Sequence, residues 1–338
     1  MNTNLTRRSS VAGTASAAGL ALAACGNSGS NASSSDAAAT KITFCLDYTP
    51  NTNHTGIYVA QQQGFFADEG LEVEIVQPAE DTAEAMLGTG QAQLGISYQD
   101  YIANSYAGGN TNLVAVAAVI QHNTSGIMSP KELGVTSAKG MEGLRYATWD
   151  MPIEQATVKQ VVEKDGGDYS KVQLVPYTVD DEISGFKADL FDTVWVYEGW
   201  AVQNAIVQGF EANYFSFISI DDVFDYYTPV IAANTTFCEE NPDAVKAFLR
   251  AAKKGYEFAI SDPDGAADIL CEAVPELDAA LVKQSAGFLA GEYQSDAASW
   301  GLIDSNRWSA FFQWLNDNNL VEAPLDVNAG WTMDYLEA

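Results

Sequence analysis

The residues of this chain that could do chemistry form polar and aromatic clusters, each placed directly after a predicted β-strand. The longest cluster, residues 47–56, follows the first predicted strand and opens a helix. Pro50 and the asparagines favour a turn, and the free backbone N–H groups of a helix start can hold a polar ligand atom. Open α/β sheets bind ligands outside the carboxyl ends of their strands. The pattern therefore indicates a binding site, although an ordinary asparagine-capped turn fits the same residues equally well.

Common catalytic and nucleotide-binding motifs are absent from the sequence. His54 and His122 are far apart, so the metalloprotease spacing HExxH does not occur, and GxSxG, GxGxxG after a strand and GxxxxGK[ST] are also missing. Cys45, Cys238 and Cys271 have no CxxC spacing. One Cys238–Cys271 disulfide or three buried thiols would both fit. We expect no enzyme, no metal site and no cofactor.

Alternating strand and helix patterns must position these clusters. The predicted strands are residues 41–46, 71–76, 93–97, 112–120, 144–148, 172–176 and 190–195. Predicted helices lie near 55–63 and 82–87, after 98, and at 152–164. The remainder is mostly helical, with helices at 242–260 and 308–318. This alternation is typical of parallel α/β sheets with crossover helices.

The N-terminal segment indicates a compartment. Arg7 and Arg8 precede a weakly apolar run, residues 11–24, that ends in Leu22-Ala23-Ala24-Cys25. The run is too short to cross roughly 30 Å of hydrocarbon. We expect a signal peptide at 1–24, lipidation of Cys25 and a flexible tether at 25–40, giving an extracytoplasmic protein anchored to the cell membrane. The general and twin-arginine export routes both stay open, and a buried helix with an ordinary thiol is the alternative.

The net charge excludes one class of partner. The full chain has a net charge of −29. Removal of the signal peptide would take away two arginines and no acidic residue, which gives a net charge of about −31. A surface so acidic repels nucleic acid and anionic lipid headgroups. We therefore expect no nucleic-acid partner.

Residues 46–60, which include Asn51-Thr52-Asn53-His54-Thr55-Gly56, resemble the opening motif of the thiamin-precursor binding proteins of ABC importers. Residues 95–99, 120–126, 149–154 and 195–199 are similar to that family in the expected order. The family captures formylaminopyrimidine or hydroxymethylpyrimidine, and it is related to a fungal pyrimidine synthase and to alkanesulfonate-binding proteins. Three departures leave a variant ligand open: Tyr48 stands where tryptophan is usual, Val196 replaces a polar residue, and Trp149 lacks flanking glycines.

The resemblance implies an α/β, two-lobed, type II periplasmic-binding-protein-like fold with a double-crossover hinge. Lobe 1 would comprise residues 41–128 and 228–338, and lobe 2 residues 129–227. Such lobes close on a ligand by hinge motion, and a membrane permease would recognise the closed form. The implied protein is a monomeric, lipid-anchored substrate-binding protein that delivers a thiamin pyrimidine precursor to an ABC permease.

Two alternatives lie within transport and one outside it. The ligand could be another flat heterocycle, such as a flavin, or a sulfonate, although the motifs offer no Arg or Lys to an anion. A pyrimidine-synthase-type enzyme is the alternative from another class. In the family that activity goes with a cysteine-rich iron motif, which the isolated cysteines of this chain do not resemble.

An aminopyrimidine is a flat ring with an amine donor and ring-nitrogen acceptors, so its site needs aromatic faces and a carboxylate. The candidate ligand-binding residues are polar or aromatic and follow predicted strands: Asp47, Tyr48, Asn51, His54, Tyr98, Gln99, Trp149, Glu154, Trp195, Tyr197 and Glu198. The stacking walls among them are Tyr48, Tyr98, Trp149 and Trp195.

Glu198 is our first choice to accept from the exocyclic amine, with an acid at a helix start as its structural alternative. Asp47 is the second choice, and Asn51, His54 and Gln99 could bind the hydroxymethyl or formamide end.

Two further expectations concern orientation. Trp195 and Tyr197 are expected to point to opposite faces if the strand continues, so that only one faces the cleft. Glu154 lies in the first turn of a predicted helix and could equally be a plain capping acid.

Overall fold

The computed structural model describes residues 39–78, 82–179 and 181–337. Within these ranges ten strands form two sheets: β1 (Thr40–Cys45), β2 (Leu71–Val76), β3 (Leu94–Ser97), β4 (Leu113–Ala118), β5 (Ser125–Pro130), β6 (Arg145–Thr148), β7 (Gln173–Pro176), β8 (Thr193–Tyr197), β9 (Ala212–Ser216) and β10 (Val230–Asn234). The first sheet has the order β2-β1-β3-β10-β4 and the second β7-β6-β8-β5-β9. The predicted signal peptide, Cys25 and all of the tether before residue 39 lie outside the described residues.

The α-helices of the described residues flank these sheets: α1 (Thr55–Gln62), α2 (Phe65–Asp68), α3 (Ala83–Thr89), α4 (Gln99–Ala107), α5 (Pro152–Lys164), α6 (Glu182–Lys187), α7 (Gln203–Val207), α8 (Thr235–Glu240), α9 (Pro242–Ser261), α10 (Pro263–Ala273), α11 (Ala279–Glu292) and α12 (Ser305–Asp317). A 3-10 turn, Thr52–His54, precedes α1, and a π-helix, Glu198–Val202, follows β8. The predicted alternation of strands and helices, and with it the α/β class, is confirmed.

The sheets are mixed, whereas the sequence pattern predicted parallel sheets. β10 runs antiparallel to β3 and β4, and β5 runs antiparallel to β8 and β9. In both cases the first residue of the antiparallel strand pairs with the last residue of its neighbour, Val230 with Ser97 and Ser125 with Tyr197. The chain reaches each of these strands directly from the other sheet. It enters at the edge where the parallel strands end, so the new strand must run the opposite way.

Two segments carry the chain between the sheets, residues 119–124 and residues 217–229. Asn123 joins them, because its side chain donates to the carbonyl of Phe224 at 2.8 Å and its backbone N–H donates to Asp225 at 3.0 Å. The second sheet already includes Ser125, three residues before the predicted lobe boundary at 128. The lobe boundaries themselves stay predictions.

Helices α1 and α9 pack closely beneath the first sheet. A side-chain carbon on Gly255 would overlap the carbonyl oxygen of Gly56, so the two backbones meet without an intervening side chain. Phe248 of α9 stacks on Phe44 of β1 and on Phe66 of α2, with ring centroids 5.3 and 4.9 Å apart. This contact fixes the start of α1 relative to the sheet.

Helix α12 packs against the second sheet's helix α5, although it follows the elements of the first sheet in sequence. The Trp314 indole donates to Gln160 at 2.6 Å, and its ring lies 5.1 Å from that of Phe224. Burial of the Trp314 and Phe224 rings stabilises the contact between α12 and the second crossing segment, which contains Phe224.

Cys45, Cys238 and Cys271 are free thiols, so the Cys238–Cys271 disulfide is not formed in this structure. Burial raises the pKa of Cys45 to about 11 and that of Cys238 to about 12. In the described ranges, no helix combines the length and the apolar character that crossing a membrane requires.

Candidate ligand-binding site

Asp47, Asn51 and His54 form a closed hydrogen-bond network in the turn after β1. The Asn51 backbone N–H donates to Nδ1 of His54 at 3.2 Å, and Nε2 of His54 lies 2.6 Å from Oδ1 of Asp47. Because Nδ1 accepts, the proton of a neutral imidazole is on Nε2 and is donated to Asp47. His54 is fully buried. The Asn51 side chain accepts from the Asn53 N–H at 2.9 Å and caps the turn.

Tyr98 completes this network from the other side. Its hydroxyl donates a short hydrogen bond to Oδ2 of Asp47. Burial opposes ionisation of Asp47, but the hydrogen bonds from His54 and Tyr98 outweigh it and hold the pKa of this carboxyl below its usual value. Asp47 is therefore a carboxylate with protein donors on both oxygens.

The same turn is fastened to two helices of the C-terminal region. The Thr52 hydroxyl lies 2.5 Å from the Ser285 hydroxyl on α11, and the Tyr293 hydroxyl donates to the Thr52 carbonyl at 2.7 Å. The Tyr256 hydroxyl of α9 donates to the Asn53 carbonyl at 2.7 Å. These bonds make residues 51–56 a fixed structural element.

A cavity of about 270 Å³ lies where β3, β6 and β8 end, between the two sheets. Its wall consists of Tyr98, Asp100, Tyr101, Trp149, Met151, Ile153, Glu154, Trp195, Tyr197 and Tyr226. Six of these side chains are aromatic and two carry carboxyl groups, and neither Lys nor Arg is among these residues. The cavity can take a flat, uncharged or cationic ring.

Glu154 positions the turn that carries Trp149. Its carboxylate accepts from the Tyr146 hydroxyl at 2.6 Å, from the Thr148 hydroxyl at 3.0 Å, and from the backbone N–H groups of Trp149 and Met151 at 3.0 and 3.3 Å. Only 4% of Glu154 is exposed. Pro152 at the first position of α5 and these four donors explain why the turn takes this shape.

Trp195 and Tyr197 both line the cavity, so the prediction that they face opposite ways is wrong. Residues i and i+2 of a strand share one face of the sheet. The Trp195 ring lies 5.9 Å from that of Trp149 and packs edge-on against Phe217 at 4.4 Å. Its buried indole nitrogen has no hydrogen-bond partner within the described residues.

Several predicted ligand residues lie away from this cavity wall. Tyr48 is 72% exposed. Gln99 is buried, and its amide bonds to the Trp308 carbonyl at 2.8 Å and to the Tyr227 N–H at 3.0 Å. Asp47, Asn51 and His54 have the partners described above. The ligand-binding roles predicted for these five residues stay predictions.

Glu198 also lies outside the cavity wall, in the first turn of the π-helix. Burial, together with the neighbouring carboxyl group of Glu292, raises the pKa of Glu198. Its backbone N–H donates to the Thr124 carbonyl at 2.9 Å. Its predicted contact with a ligand amine is not tested by this arrangement.

Asp100, Tyr101 and Tyr226 line the cavity but were not among the predicted ligand-binding residues. Asp100 and Tyr101 occupy the first turn of α4, immediately after β3, so the strand-end rule that selected Tyr98 could have selected them too. Tyr226 lies in the second crossing segment, where no sequence signal marked it. Its ring stacks on Phe311 of α12 at 4.0 Å, which fixes it as part of the wall.

A charged cluster lies beside the crossing segments, apart from the cavity. His122 places its two ring nitrogens 2.8 Å from Asp225 and 3.0 Å from Asp296, and Arg307 lies 3.3 Å from Asp225. Burial disfavours protonation of His122, but the two carboxylates outweigh it and raise its pKa. In the part of the chain that the structure describes, no group of three or more His, Cys, Asp or Glu side chains could hold a metal ion.

Two relatives in sequence are similar to this chain over most of its length. A formylaminopyrimidine-binding protein of Halalkalibacterium halodurans is 29% identical over 313 residues, covering 90% of this chain and 93% of that protein. A 4-amino-5-hydroxymethyl-2-methylpyrimidine phosphate synthase of Saccharomyces cerevisiae is 24% identical over 317 residues, covering 88% of each.

Among solved structures, the periplasmic aliphatic sulphonate binding protein SsuA of Escherichia coli superposes with a TM-score of 0.69 at 14% identity, covering 86% of this chain and 97% of that one. This likeness confirms the predicted α/β, periplasmic-binding-protein-like fold. The model of the NMT1/THI5-like family matches residues 51–266, which is more than half of the sequence. On that match, this chain belongs to the NMT1/THI5-like family.

Proposed function

We propose that this chain is a substrate-binding protein that captures a thiamin pyrimidine precursor, formylaminopyrimidine or hydroxymethylpyrimidine, for an ABC importer. The observation that carries the proposal is the cavity between the sheets, whose wall combines six aromatic rings with carboxyl groups and has no cationic side chain. The likeness to a formylaminopyrimidine-binding protein supports the same ligand class.

Cavity size and charge favour a pyrimidine over the two other ligands considered for transport. Ligand pockets commonly measure roughly 300–1,000 Å³, and about 270 Å³ suits one ring better than the three fused rings of a flavin. A sulfonate would need an Arg, a Lys or several N–H donors to offset its charge. The carboxyl groups of Asp100 and Glu154 would instead repel it.

The aromatic wall residues have the clearest role in this proposal. Trp149 and Trp195, whose rings are tilted by 46° to each other, offer faces against which the ligand ring can stack, and Tyr98 and Tyr197 line the adjoining wall. Because the wall comes from both sheets, opening of the two crossing segments would admit the ligand and closing would enclose it.

The location follows from the same proposal. A signal peptide at 1–24 and lipidation of Cys25 would hold the protein outside the cell membrane. The segment predicted as a tether, residues 25–40, of which Thr40 already belongs to β1, would keep it near its permease. The permease would recognise the closed, liganded monomer. Globomycin treatment of producing cells should block signal removal, and secretion of an unlipidated mature chain would contradict the anchor.

A pyrimidine-synthase reaction is the second candidate, because the yeast relative carries that name. Three features support binding instead. His54 has both ring nitrogens bonded within the protein, Cys45 is a buried thiol, and Asp47 is paired with His54 and Tyr98. Turnover of a pyridoxal-type substrate by the purified protein with iron would favour the synthase.

Identification of the natural ligand tests the proposal. The protein is purified without denaturation, its small molecules are released and identified by mass spectrometry, and the emptied protein is melted with and without each candidate. An aminopyrimidine should be recovered and should raise the melting temperature, because a ligand that binds only the folded state stabilises it. Recovery of a sugar, peptide or sulfonate, or stabilisation by taurine but not by hydroxymethylpyrimidine, would contradict it.

A further inference from the structure

The two carboxyl groups on the cavity wall differ in what they can still bind. Glu154 already accepts from two hydroxyls and two backbone N–H groups, which fills the acceptor positions of its two oxygens. A ligand amine could reach Glu154 only by displacing one of these donors. Glu154 is therefore a support for the wall.

Asp100 has no such set of hydrogen-bond donors around it. No side chain of the described residues donates a hydrogen bond to its carboxyl group, and the N–H groups near it belong to the backbone, its own and that of Tyr101. Asp100 is partly exposed, and its side chain lines the cavity. Asp100 is thus a carboxyl group without a side-chain partner inside an aromatic cavity.

We propose that the Asp100 carboxyl group binds one edge of an aminopyrimidine, the edge with the exocyclic amine and the adjacent ring nitrogen. Two parallel hydrogen bonds join them, and one titrating proton lies either on the carboxyl group or on the ring nitrogen. A neutral carboxyl donates its O–H to the ring nitrogen and accepts from the amine. An ionised carboxylate accepts from the amine and from the protonated ring nitrogen. Both forms hold the same single proton, and no bond to carbon is made or broken. This inference rests on the proposed function.

The surroundings of Asp100 favour the form that carries a proton. The titratable groups that face it from neighbouring elements are Glu84 of α3, Tyr98 and Tyr101 beside it, Tyr197 of β8, Tyr226 of the second crossing segment, and, across the cavity, Glu154. None of these is a cation. Burial, helped by the Glu84 carboxylate, raises the pKa of Asp100 to about 7.

Because the complex needs this proton, ligand affinity should fall as the pH rises. Below pH 7 Asp100 already carries the proton that the complex needs. Above pH 7 the free protein has lost it, so binding must take one proton from solution, and affinity should fall about tenfold for each further pH unit. The site would also reject a pyrimidine without the exocyclic amine, because one carboxyl oxygen would then lose its partner.

Calorimetry with the full-length protein and 4-amino-5-hydroxymethyl-2-methylpyrimidine tests the inference. Titrations at pH 7, 8 and 9, each in two buffers of different ionisation enthalpy, give affinity and proton uptake together. Wild type should lose about tenfold in affinity between pH 8 and 9 and take up close to one proton there. Since this measurement needs no variant, it does not depend on how any substitution folds.

Two substitutions at Asp100 separate the effect of its hydrogen bonds to the ligand from the effect of its side-chain volume. Asp100→Asn presents the same donor and acceptor pattern without titrating, so binding should persist, lose its pH dependence and take up no proton. Asp100→Leu should reduce affinity at pH 7 by about a hundredfold or more, because the ligand edge is left unpaired. Thermal melts of the unliganded variants check that they fold. Glu198→Gln removes the other predicted acceptor for the amine, and if Asp100 holds that role the variant should keep the wild-type pH dependence. Asp243→Asn, at an exposed acid at the start of α9, is the neutral control.

Each contrary result has one meaning. A wild-type pH profile in Asp100→Asn, or a profile abolished by Glu198→Gln, would overturn the role of Asp100 and leave the proposed function standing. Failure of wild type to bind any aminopyrimidine at pH 7 would overturn the proposed function and this inference with it.

Discussion

The turn after β1 and the cavity between the sheets each contain an aspartate enclosed by protein. The pKa values of these two aspartates are shifted in opposite directions. Asp47 is held ionised by His54 and Tyr98, which keep its pKa low. Asp100 has no side-chain donor, and burial raises its pKa to about 7. Where the protein supplies side-chain donors, as at Asp47, the carboxylate fastens the chain. Where it supplies none, as at Asp100, we propose that the carboxyl group binds the ligand.

The comparison extends to the aromatic and amide groups around each aspartate. In the turn, the side chains of Asn51 and His54 are bonded within the protein, and Tyr98, which also lines the cavity, donates to Asp47 from outside the turn. On the cavity wall the indole N–H of Trp195 has no partner among the described residues. Hydrogen-bond satisfaction thus distinguishes Asp47 and Glu154, whose oxygens are filled by protein donors, from Asp100, which has no side-chain donor.

The largest expected effect concerns Glu154, a cavity residue whose carboxylate oxygens are filled by protein donors, like those of Asp47 in the turn. Glu154→Ala leaves four donors unpaired, two of them hydroxyls of Tyr146 and Thr148, and should lower the free energy of unfolding by about 3 kcal/mol or more. Tyr146→Phe removes one of the four bonds and should cost about 1 kcal/mol. Urea denaturation measures both. A loss for Glu154→Ala no larger than for Tyr146→Phe would show that Glu154 is not the support of the wall.

Asp47→Asn should destabilise the protein by about 1–3 kcal/mol at pH 7, since it weakens two hydrogen bonds to a charged group. Because the folded pKa of Asp47 lies below its unfolded value, near 4, the contribution is complete above that value and disappears as pH falls through the folded pKa. The difference between wild type and variant should therefore shrink on acidification. Asp243→Asn, an exposed acid at the start of α9, is the matched control and should show little effect at any pH.

His122→Gln tests the cluster at the crossing segments and should have a smaller effect, below about 1 kcal/mol, because solvent reaches this side chain. Asp225 and Asp296 raise its pKa, with Arg307 and Glu292 nearby. The stabilisation by His122 is therefore complete below its unfolded pKa, near 6.5, and is lost as pH rises through the folded value. Thermal melts at pH 6 and pH 8.5 should differ more between wild type and variant at pH 6.

Tyr48→Ala should have the smallest effect on stability, within about 0.5 kcal/mol, since most of the side chain is in solvent. Tyr98→Phe, which removes the bond to Asp47, should cost more. Calorimetry with hydroxymethylpyrimidine adds a sharper outcome. A tenfold loss of affinity in Tyr48→Ala would support the predicted stacking role and would place part of the ligand site in the turn, breaking the separation of the two regions.

Local signals were enough to predict much of the fold. Pro152 at the first helical position marked the start of α5, and the alternating sequence Leu-Glu-Val-Glu-Ile-Val marked β2. β10 was missed because Val-Ile-Ala-Ala-Asn is buried on both faces and shows no alternation. β5 was missed because glycine, serine and proline interrupt it. Both strands are defined by crossings between sheets, which no local pattern records.

The site was predictable in part for a similar reason. The strand-end rule selected Tyr98, Trp149 and Trp195, and all three line the cavity. It could not decide which first-turn residue of α4 faces inward, so Gln99 was preferred to Asp100. That choice depends on how α4 sits against Trp308 and Tyr227, two residues more than a hundred positions away in sequence.

The close contact of Gly56 and Gly255 bears on how ligand specificity can be inferred across relatives and redesigned. The Asn-Thr-Asn-His-Thr-Gly segment must suit a neighbouring helix at backbone distance, so its presence in another protein reports this packing contact, whatever the cargo. Segments 98–101 and 149–154 contribute to the cavity wall, and Tyr98 and Gln99 also hold bonds to Asp47, Trp308 and Tyr227 that an exchange must keep. We expect exchange of Asp100, Tyr101, Trp149 and Met151 between relatives, with the glycine contact left alone, to change the bound heterocycle with little disturbance of the fold.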